Sequence, residues 1–358
     1  MAKFSHLHVH TQFSLLDGAA DISNLYKKAV NDQMPAIAIT DHGNMFGVFK
    51  FVAESYKHNK EKEVIKPIVG CEFYLVENRH KQQFTKEDKD KRFHQLFLAK
   101  DSEGYKNLIK LSSLGYIEGL YGKYPRIDKE LVLKYHNGLI ATTCCLGASV
   151  PKTILRFGEA DGEKEFKWWL DLFGEDYYIE LQRHDIPDQN KVNEILLKWA
   201  VRYNVKIIAS NDSHYVDQQD YNAHDILLCI NTGEKQNTPS MKEFADDDAS
   251  VKGKRFAFYN DQFYFKTTDE MSRLFKDIPE AIDNTNDIVG KIQPLKLKQD
   301  ILLPHFKLPV EFSSQDEYLH HLTMIGAKVR YKELTPEIEE RINFELFTIK
   351  QWVSQAIF

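Results

Sequence analysis

Nine side chains able to ligate a metal ion stand in this sequence where short apolar runs end: His8, His10, Asp17, His42, Glu72, His94, Cys145, Asp212 and His214. Imidazole, carboxylate and thiolate together suit borderline divalent cations such as zinc, manganese or iron. Cations gathered in one pocket lower the pKa of bound water toward ~7 and neutralise phosphate oxygens. The chemistry expected is therefore hydrolysis of a phosphate ester by metal-activated water, without a side-chain nucleophile. Taken singly, none of the nine is distinctive. His8 and His10 are two apart on a strand, so both imidazoles fall on one side, with His6 sharing that side as a packed strand histidine. Asp41-His42-Gly43 follows the run AIAIT, where Asp and Gly also suit a plain turn. Asp212 and His214, in NDSH after KIIAS, share a side. Glu72 is an acid inside the apolar run VGCEFY, and a buried carboxylate needs a cation or a donor. His94 opens a strand; Cys145 ends one, where a small buried hydrophobe is the other reading. Their regular fall at strand ends favours the metal reading, with Glu72, Asp212 and His214 as the expected catalytic set. Arg183 and His184, just past YYIEL, are either contacts for substrate phosphate or a helix-capping or solvated pair.

Positioning these groups falls to short strands alternating with amphipathic helices. Strands are expected at 4–9, 36–40, 67–75, 96–99, 139–143, 177–181 and 206–210, and helices at 22–30 behind an Asp21 cap, 45–56, 105–114, 164–173 and 189–203. Such β/α alternation argues for a parallel sheet covered by helices. About seven units suggest a closed barrel with its chemistry at the C-terminal strand ends. Residues 77–92 read as a mobile polar loop, and 232–253, with Asp246, Asp247 and Asp248, as a solvated insertion. Beyond about 267 the pattern turns to helices at 279–292, 315–331 and 336–353. The expected domains are 1–270 and 271–358.

The bulk properties narrow the class. A length of 358 residues allows two domains or a barrel with an appendage. The net charge of -6 gives no general attraction to nucleic acid, so DNA contact would have to be local or rest on metals. Four cysteines, two of them adjacent, make no disulfide framework and suit a reduced cytosol. No signal-peptide pattern or membrane-length apolar run is present, so a soluble cytoplasmic protein is expected.

The strings HLHVHTQFSLLDG, ITDHGNMFG, VGCEFY, HQLFLAKD, ATTCCLG and SNDSHY resemble the successive motifs of PHP (polymerase and histidinol phosphatase) domains. The nearest likeness is to the N-terminal region of bacterial replicative DNA polymerase III alpha subunits, and it covers nearly the whole chain. The resemblance implies an α/β fold, a distorted (β/α)7 TIM-like barrel followed by the mainly helical start of the polymerase palm region. It also implies up to three divalent metals. His8, His10, Glu72 and Asp212 would hold one; Glu72 would bridge to a second completed by His94 and Cys145; Asp17, His42 and His214 would hold a third. A glycine is commoner where Cys144 stands. The implied activity is 3′–5′ exonuclease proofreading on the single-stranded 3′ end of DNA, with the rest of the polymerase chain and replisome subunits as partners. The palm carboxylates would lie beyond residue 358, so a fragment unable to extend a primer is expected. Two alternatives are a small-molecule phosphatase like histidinol phosphatase and a silent, metal-braced scaffold that docks polymerase partners.

Overall fold

The computed structural model describes residues 3–241, 254–297 and 306–351. The Asp246-Asp247-Asp248 segment and the last seven residues lie outside these. In chain order the chain forms α1 (Ile22–Asn31), β1 (Ala36–Ile39), α2 (Val48–His58), β2 (Lys66–Val76), β3 (Phe93–Ala99), α3 (Ser102–Ile117), β4 (Arg126–Asp128) and α4 (Lys129–Tyr135). Next come β5 (Leu139–Thr142), α5 (Ser149–Phe157), α6 (Glu159–Phe173), β6 (Tyr177–Leu181), α7 (Pro187–Tyr203), β7 (Ile207–Ala209), α8 (Tyr221–Thr232), β8 (Ser240–Met241) and β9 (Arg255–Phe256). Helices α9 (Thr268–Leu274), α10 (Pro279–Lys291), α11 (Gln315–Arg330) and α12 (Pro336–Gln351) follow. Local chemistry sets several boundaries. Asp21 accepts from the backbone of Asn24 at the start of α1, and buried Ile22, Leu25, Tyr26 and Ala29 give that helix one apolar face. Pro187 opens α7, and left-handed Asn204 ends it.

The sheet runs β1-β2-β3-β5-β6-β7, with β4 paired to the far end of β2. The all-parallel sheet expected from the β/α pattern is corrected here, because β3 is antiparallel to both β2 and β5. The cause is the connection: parallel neighbours need a crossover, usually a helix, and residues 77–92 supply none. That link is not the free loop expected. Fully buried Arg126 donates to the carbonyls of Arg79 and Lys81 and pairs with Asp90 at 2.8 Å, holding the link from both shoulders.

Residues 4–10 close the ring. Ala38 N donates to His6 O, and Thr40 N to Val9 O, on one side. On the other, His10 N donates to Ser213 O, and Ser213 N to His8 O. A bend at His8 breaks the expected period-2 alternation. His6 therefore packs between Phe4 and Phe265, its Nε2 on the Lys266 carbonyl at 2.8 Å, while His8 and His10 face the interior.

Interior positions grade from apolar to polar along each strand. Ile68 leads to Glu72, Leu98 to His94, Ile140 to Thr142, Tyr178 to Glu180 and Ile208 to Ser210, each at even spacing and so on one face. The apolar end is plugged by α10, whose Ile288 packs there together with Ile292 just beyond it. Asn284 Nδ2 also bonds the Ile207 carbonyl at 2.8 Å. The boundary expected near 270 is thereby moved: the first compact unit runs Met1–Leu297, because an open barrel end needs that plug. The second unit is Lys298–Phe358. Within it, Ser314 caps α11, and Lys350 pairs with Asp316 at 3.1 Å. Among the described residues, no helix is long and apolar enough to cross a membrane.

Candidate metal centre

The polar end of the barrel gathers all nine side chains expected as ligands. His8 Nε2 and His10 Nε2 each stand 3.3 Å from Asp212 Oδ1, and 3.5 and 3.1 Å from Glu72 Oε2. Asp17 Oδ2 lies 3.0 Å from His42 Nε2 and 3.1 Å from His214 Nε2. His42 Nδ1 reaches Glu72 Oε2 at 2.9 Å, so His42 joins these two groups. A third group has His94 Nδ1 at 2.9 Å from Glu72 Oε1, with Cys145 Sγ 3.5 Å from both atoms. His94 sits at the N-terminal start of β3, yet it reaches the C-terminal mouth of the barrel because that strand runs backward.

Loops do the remaining placement. A Cβ at Gly18 would stand 2.1 Å from the Thr11 carbonyl oxygen, so glycine permits the tight turn that brings Asp17 to the mouth. Asp212 and Cys144 both take left-handed backbone, φ 47° and 58°. Such strain in non-glycine residues clusters at functional sites.

The metal-facing nitrogens are selected from behind. His8 Nδ1 donates to Glu180 Oε1 at 2.7 Å, leaving Nε2 free to ligate. Glu180 also accepts from Thr142 Oγ1 at 2.6 Å, Ser210 Oγ at 2.5 Å and Gln182 Nε2 at 2.9 Å. His10 Nδ1 donates to Ser14 Oγ at 3.0 Å, and that hydroxyl donates to Asp41 Oδ1 at 2.8 Å. His214 Nδ1 is satisfied by the Asp212 carbonyl at 2.9 Å. Glu180, Ser14 and Asp41 are absent from the sequence-based site. Glu180 carries the same signal that marked Glu72, an acid in an otherwise apolar strand, and that signal was sufficient to find it.

Arg183 and His184 are not brought to this site. The Arg183 guanidinium clasps Asp277 at 2.6 and 2.8 Å and donates to the Leu274 carbonyl. His184 is fully buried against Phe263, bonded to the Asn211 carbonyl and Gln189, and burial lowers its pKa to about 4. Arg183 is thus held in a partly exposed ion pair, and His184 is packed in the core.

Whether a cation fits is decided by the atoms left over. His8 Nε2, His10 Nε2, His42 Nδ1, Glu72 Oε2 and Asp212 Oδ1 are buried, converge on one space and make no well-formed hydrogen bond. In proteins most buried polar atoms are satisfied, and five unsatisfied ones converging on a single space point to an ion. Donors around a tetrahedral ion at ~2.0–2.1 Å stand about 3.3 Å apart, close to the separations here. The residues present therefore fit divalent cations.

Charge in the metal-free chain is self-balancing. Burial disfavours the His8 imidazolium, but Asp212, Glu180 and Glu72 outweigh it and hold its pKa well above the ordinary value. Against the same burial, Glu72 and Asp17 raise His42 to about 10, Glu72 and Cys145 raise His94, and Asp17 raises His214. Burial opposes ionisation of Glu72, Asp17 and Asp212, yet these histidines hold all three carboxyls below their usual range. Cation uptake must therefore expel imidazole protons. Titrating metal-free protein with zinc at pH 7 in weak buffer is expected to acidify the solution, and affinity is expected to rise with pH. Uptake without proton release would mean the imidazoles are already neutral. For the metal-free fold the sign runs the other way. The His42 contribution to stability is full below its ordinary 6.5 and is lost as pH rises through about 10.

Above the cluster opens a cavity of about 290 Å³, walled by Leu15, Tyr74, Tyr116, Tyr124, Phe256 and Phe258. Lys123 lies at its rim, bonded to Asn231 of α8.

DNA polymerase III subunit alpha of Borreliella burgdorferi is 43% identical over 352 residues, covering 97% of this chain and 29% of that protein. The Treponema pallidum protein of the same name is 36% identical, covering 97% and 28%, and that of Thermus aquaticus 38%, covering 94% and 26%. The chain thus spans under a third of the length of these relatives. Among solved structures, an amidohydrolase from Chromobacterium violaceum overlaps with a TM-score of 0.39 at 15% identity, covering 59% of this chain and 87% of that one. The family model described as PHP domain matches residues 6–184. That match starts on the segment bearing His8 and His10, ends just past the strand of Glu180 and takes in half the sequence: the chain belongs to the PHP-domain family.

Proposed function

We propose that this chain is a metal-dependent phosphodiesterase that removes nucleotides from the 3′ end of single-stranded DNA, the proofreading region of a replicative DNA polymerase III alpha subunit. The convergence of five orphaned buried donor atoms carries the metal-dependent part. The relatives' identity as polymerase subunits supports DNA as substrate. His8, His10, Glu72 and Asp212 would hold one cation; Glu72, His94 and Cys145 a second; Asp17, His42 and His214 a third, with zinc, manganese or iron as the fitting ions. Bound there, such cations activate water and neutralise phosphate charge. The protein's own part is to fix that centre. Glu180 aligns His8, the Ser14–Asp41 pair aligns His10, and the Asp212 carbonyl sets the His214 tautomer. The aromatic walls keep bulk water from the reacting phosphate. A cavity of about 290 Å³ suits one terminal nucleotide better than an internal stretch of strand, which favours attack at an end. The second unit, Lys298–Phe358, is read as the helical start of the polymerase core, with replisome subunits as its partners.

The test is a single-stranded oligonucleotide labelled at its 5′ end. Metal-loaded protein is expected to shorten it stepwise from the 3′ end, and chelator to stop the reaction. An intact oligonucleotide with fully loaded protein would overturn the assignment. Faster release of phosphate from histidinol phosphate would replace it with the small-molecule reading.

A further inference from the structure

Cys144 stands where the backbone is left-handed, φ 58°, a conformation glycine takes freely and a cysteine does not. The turn is fixed from the network below it. Cys144 N donates to Thr142 Oγ1 at 3.0 Å, and Thr142 in turn donates to Glu180. The result is a buried thiol whose Sγ lies 3.2 Å from Glu72 Oε1. The same carboxylate oxygen faces His94 Nδ1 at 2.9 Å and Cys145 Sγ at 3.5 Å. Two sulfurs from consecutive residues thus bracket one oxygen, and the Cys144 sulfur, a Glu72 oxygen and a His8 nitrogen lie within 4.8 Å of one another. As a thiol, Cys144 would be one more donor crowding an oxygen that already has two neighbours. As a thiolate beside a cation it would relieve that crowding.

We infer that Cys144 is a second thiolate ligand, completing with Cys145, His94 and Glu72 a two-sulfur, one-nitrogen, one-oxygen donor set that selects zinc-class cations over manganese. On binding, each thiol loses its proton to solvent and forms one sulfur–metal bond; nothing is oxidised or reduced. Thiolates favour zinc and cobalt, whereas manganese prefers oxygen donors, so a second sulfur shifts selectivity and not merely affinity. This inference rests on the reading of the barrel mouth as a metal centre, and is independent of DNA as substrate.

The experiment loads the full chain with cobalt(II) and reads the near-ultraviolet sulfur-to-cobalt charge-transfer band, whose intensity follows the number of thiolate ligands. Cys144→Gly, a substitution that suits the left-handed backbone, is expected to lower the band about twofold, as is Cys145→Ser, and the double variant to abolish it. In competition, the preference for zinc over manganese is expected to fall about tenfold in Cys144→Gly, the size of effect usual for groups that support a metal site. Full band intensity and unchanged selectivity in Cys144→Gly, with loss in Cys145→Ser, would show that Cys144 only donates to Glu72, and would overturn the inference. Absence of visible cobalt ligand-field bands in the unsubstituted chain would instead sink the metal centre itself, and this inference with it.

Discussion

Replacing Asp212 with Asn is expected to abolish oligonucleotide digestion and to strip a cation from the protein. The substitution keeps the side chain's size, so the barrel should fold with a melting temperature within a few degrees of the original. What it removes is charge at one atom, Asp212 Oδ1, which stands 3.3 Å from both His8 Nε2 and His10 Nε2 with no hydrogen bond of its own. A neutral amide is a poor ligand, and if its nitrogen turns inward it places N–H groups against two imidazole nitrogens. Groups that merely orient metal ligands already contribute roughly 10–100-fold to affinity or activity, so losing a ligand should exceed about a hundredfold in kcat/KM. Elemental analysis beside the kinetics makes this decisive. Unchanged digestion and an unchanged metal count would remove Asp212 from the centre.

Glu180→Ala should be the most destabilising single change at the site. Its buried carboxylate accepts from His8, Thr142, Ser210 and Gln182 at 2.5–2.9 Å. Alanine would leave three polar groups without their acceptor and the His8 imidazolium without its neighbour. Breaking a buried pair by removing one partner costs about 3–5 kcal/mol. For a unit of this size that corresponds to a melting temperature lower by about 5–8 °C. Burial opposes the Glu180 charge, but His8 and the hydrogen bonds lower its pKa. Its contribution is therefore present above the ordinary carboxylate range and lost as pH falls. Thermal melts in chelator isolate this effect, and zinc titration should show a 10–100-fold weaker site. Glu180→Gln, which keeps an acceptor for the hydroxyls, should recover much of the stability and little of the affinity. Equal loss of stability in the two variants would mean that the Glu180 charge, and not its capacity to accept from the hydroxyls, holds the network together.

Much of this centre was legible in the sequence because barrels impose a simple rule. A polar ligand a few residues past an apolar strand is aimed at the mouth, and His42, Asp212 and His214 follow that rule. Glu72 was legible as an acid inside an apolar run. Other features depend on long-range geometry that no local pattern carries. The reversal of β3 follows from a missing crossover helix, and it alone explains how a residue opening a strand meets residues that end theirs. The bend at His8 undoes the alternation that would have grouped His6 with its neighbours. Arg183 looked available because Asp277, its partner, comes from a helical segment far along the chain. The plug formed by α10 moved the boundary for the same reason: amphipathic helices look alike whether they cover a barrel or begin the next domain.

The closing segment has a consequence for how the protein matures. Ser5 and Thr285 are bonded across 280 residues of chain, and residues 8 and 10 seal the ring against Ser213. Such high contact order places ring closure late in folding. During synthesis His8 and His10 emerge first and wait, unpartnered, while nearly the whole first unit is made. Capture of a cation would then certify a finished barrel, since an incomplete chain holds scattered donors and no cage.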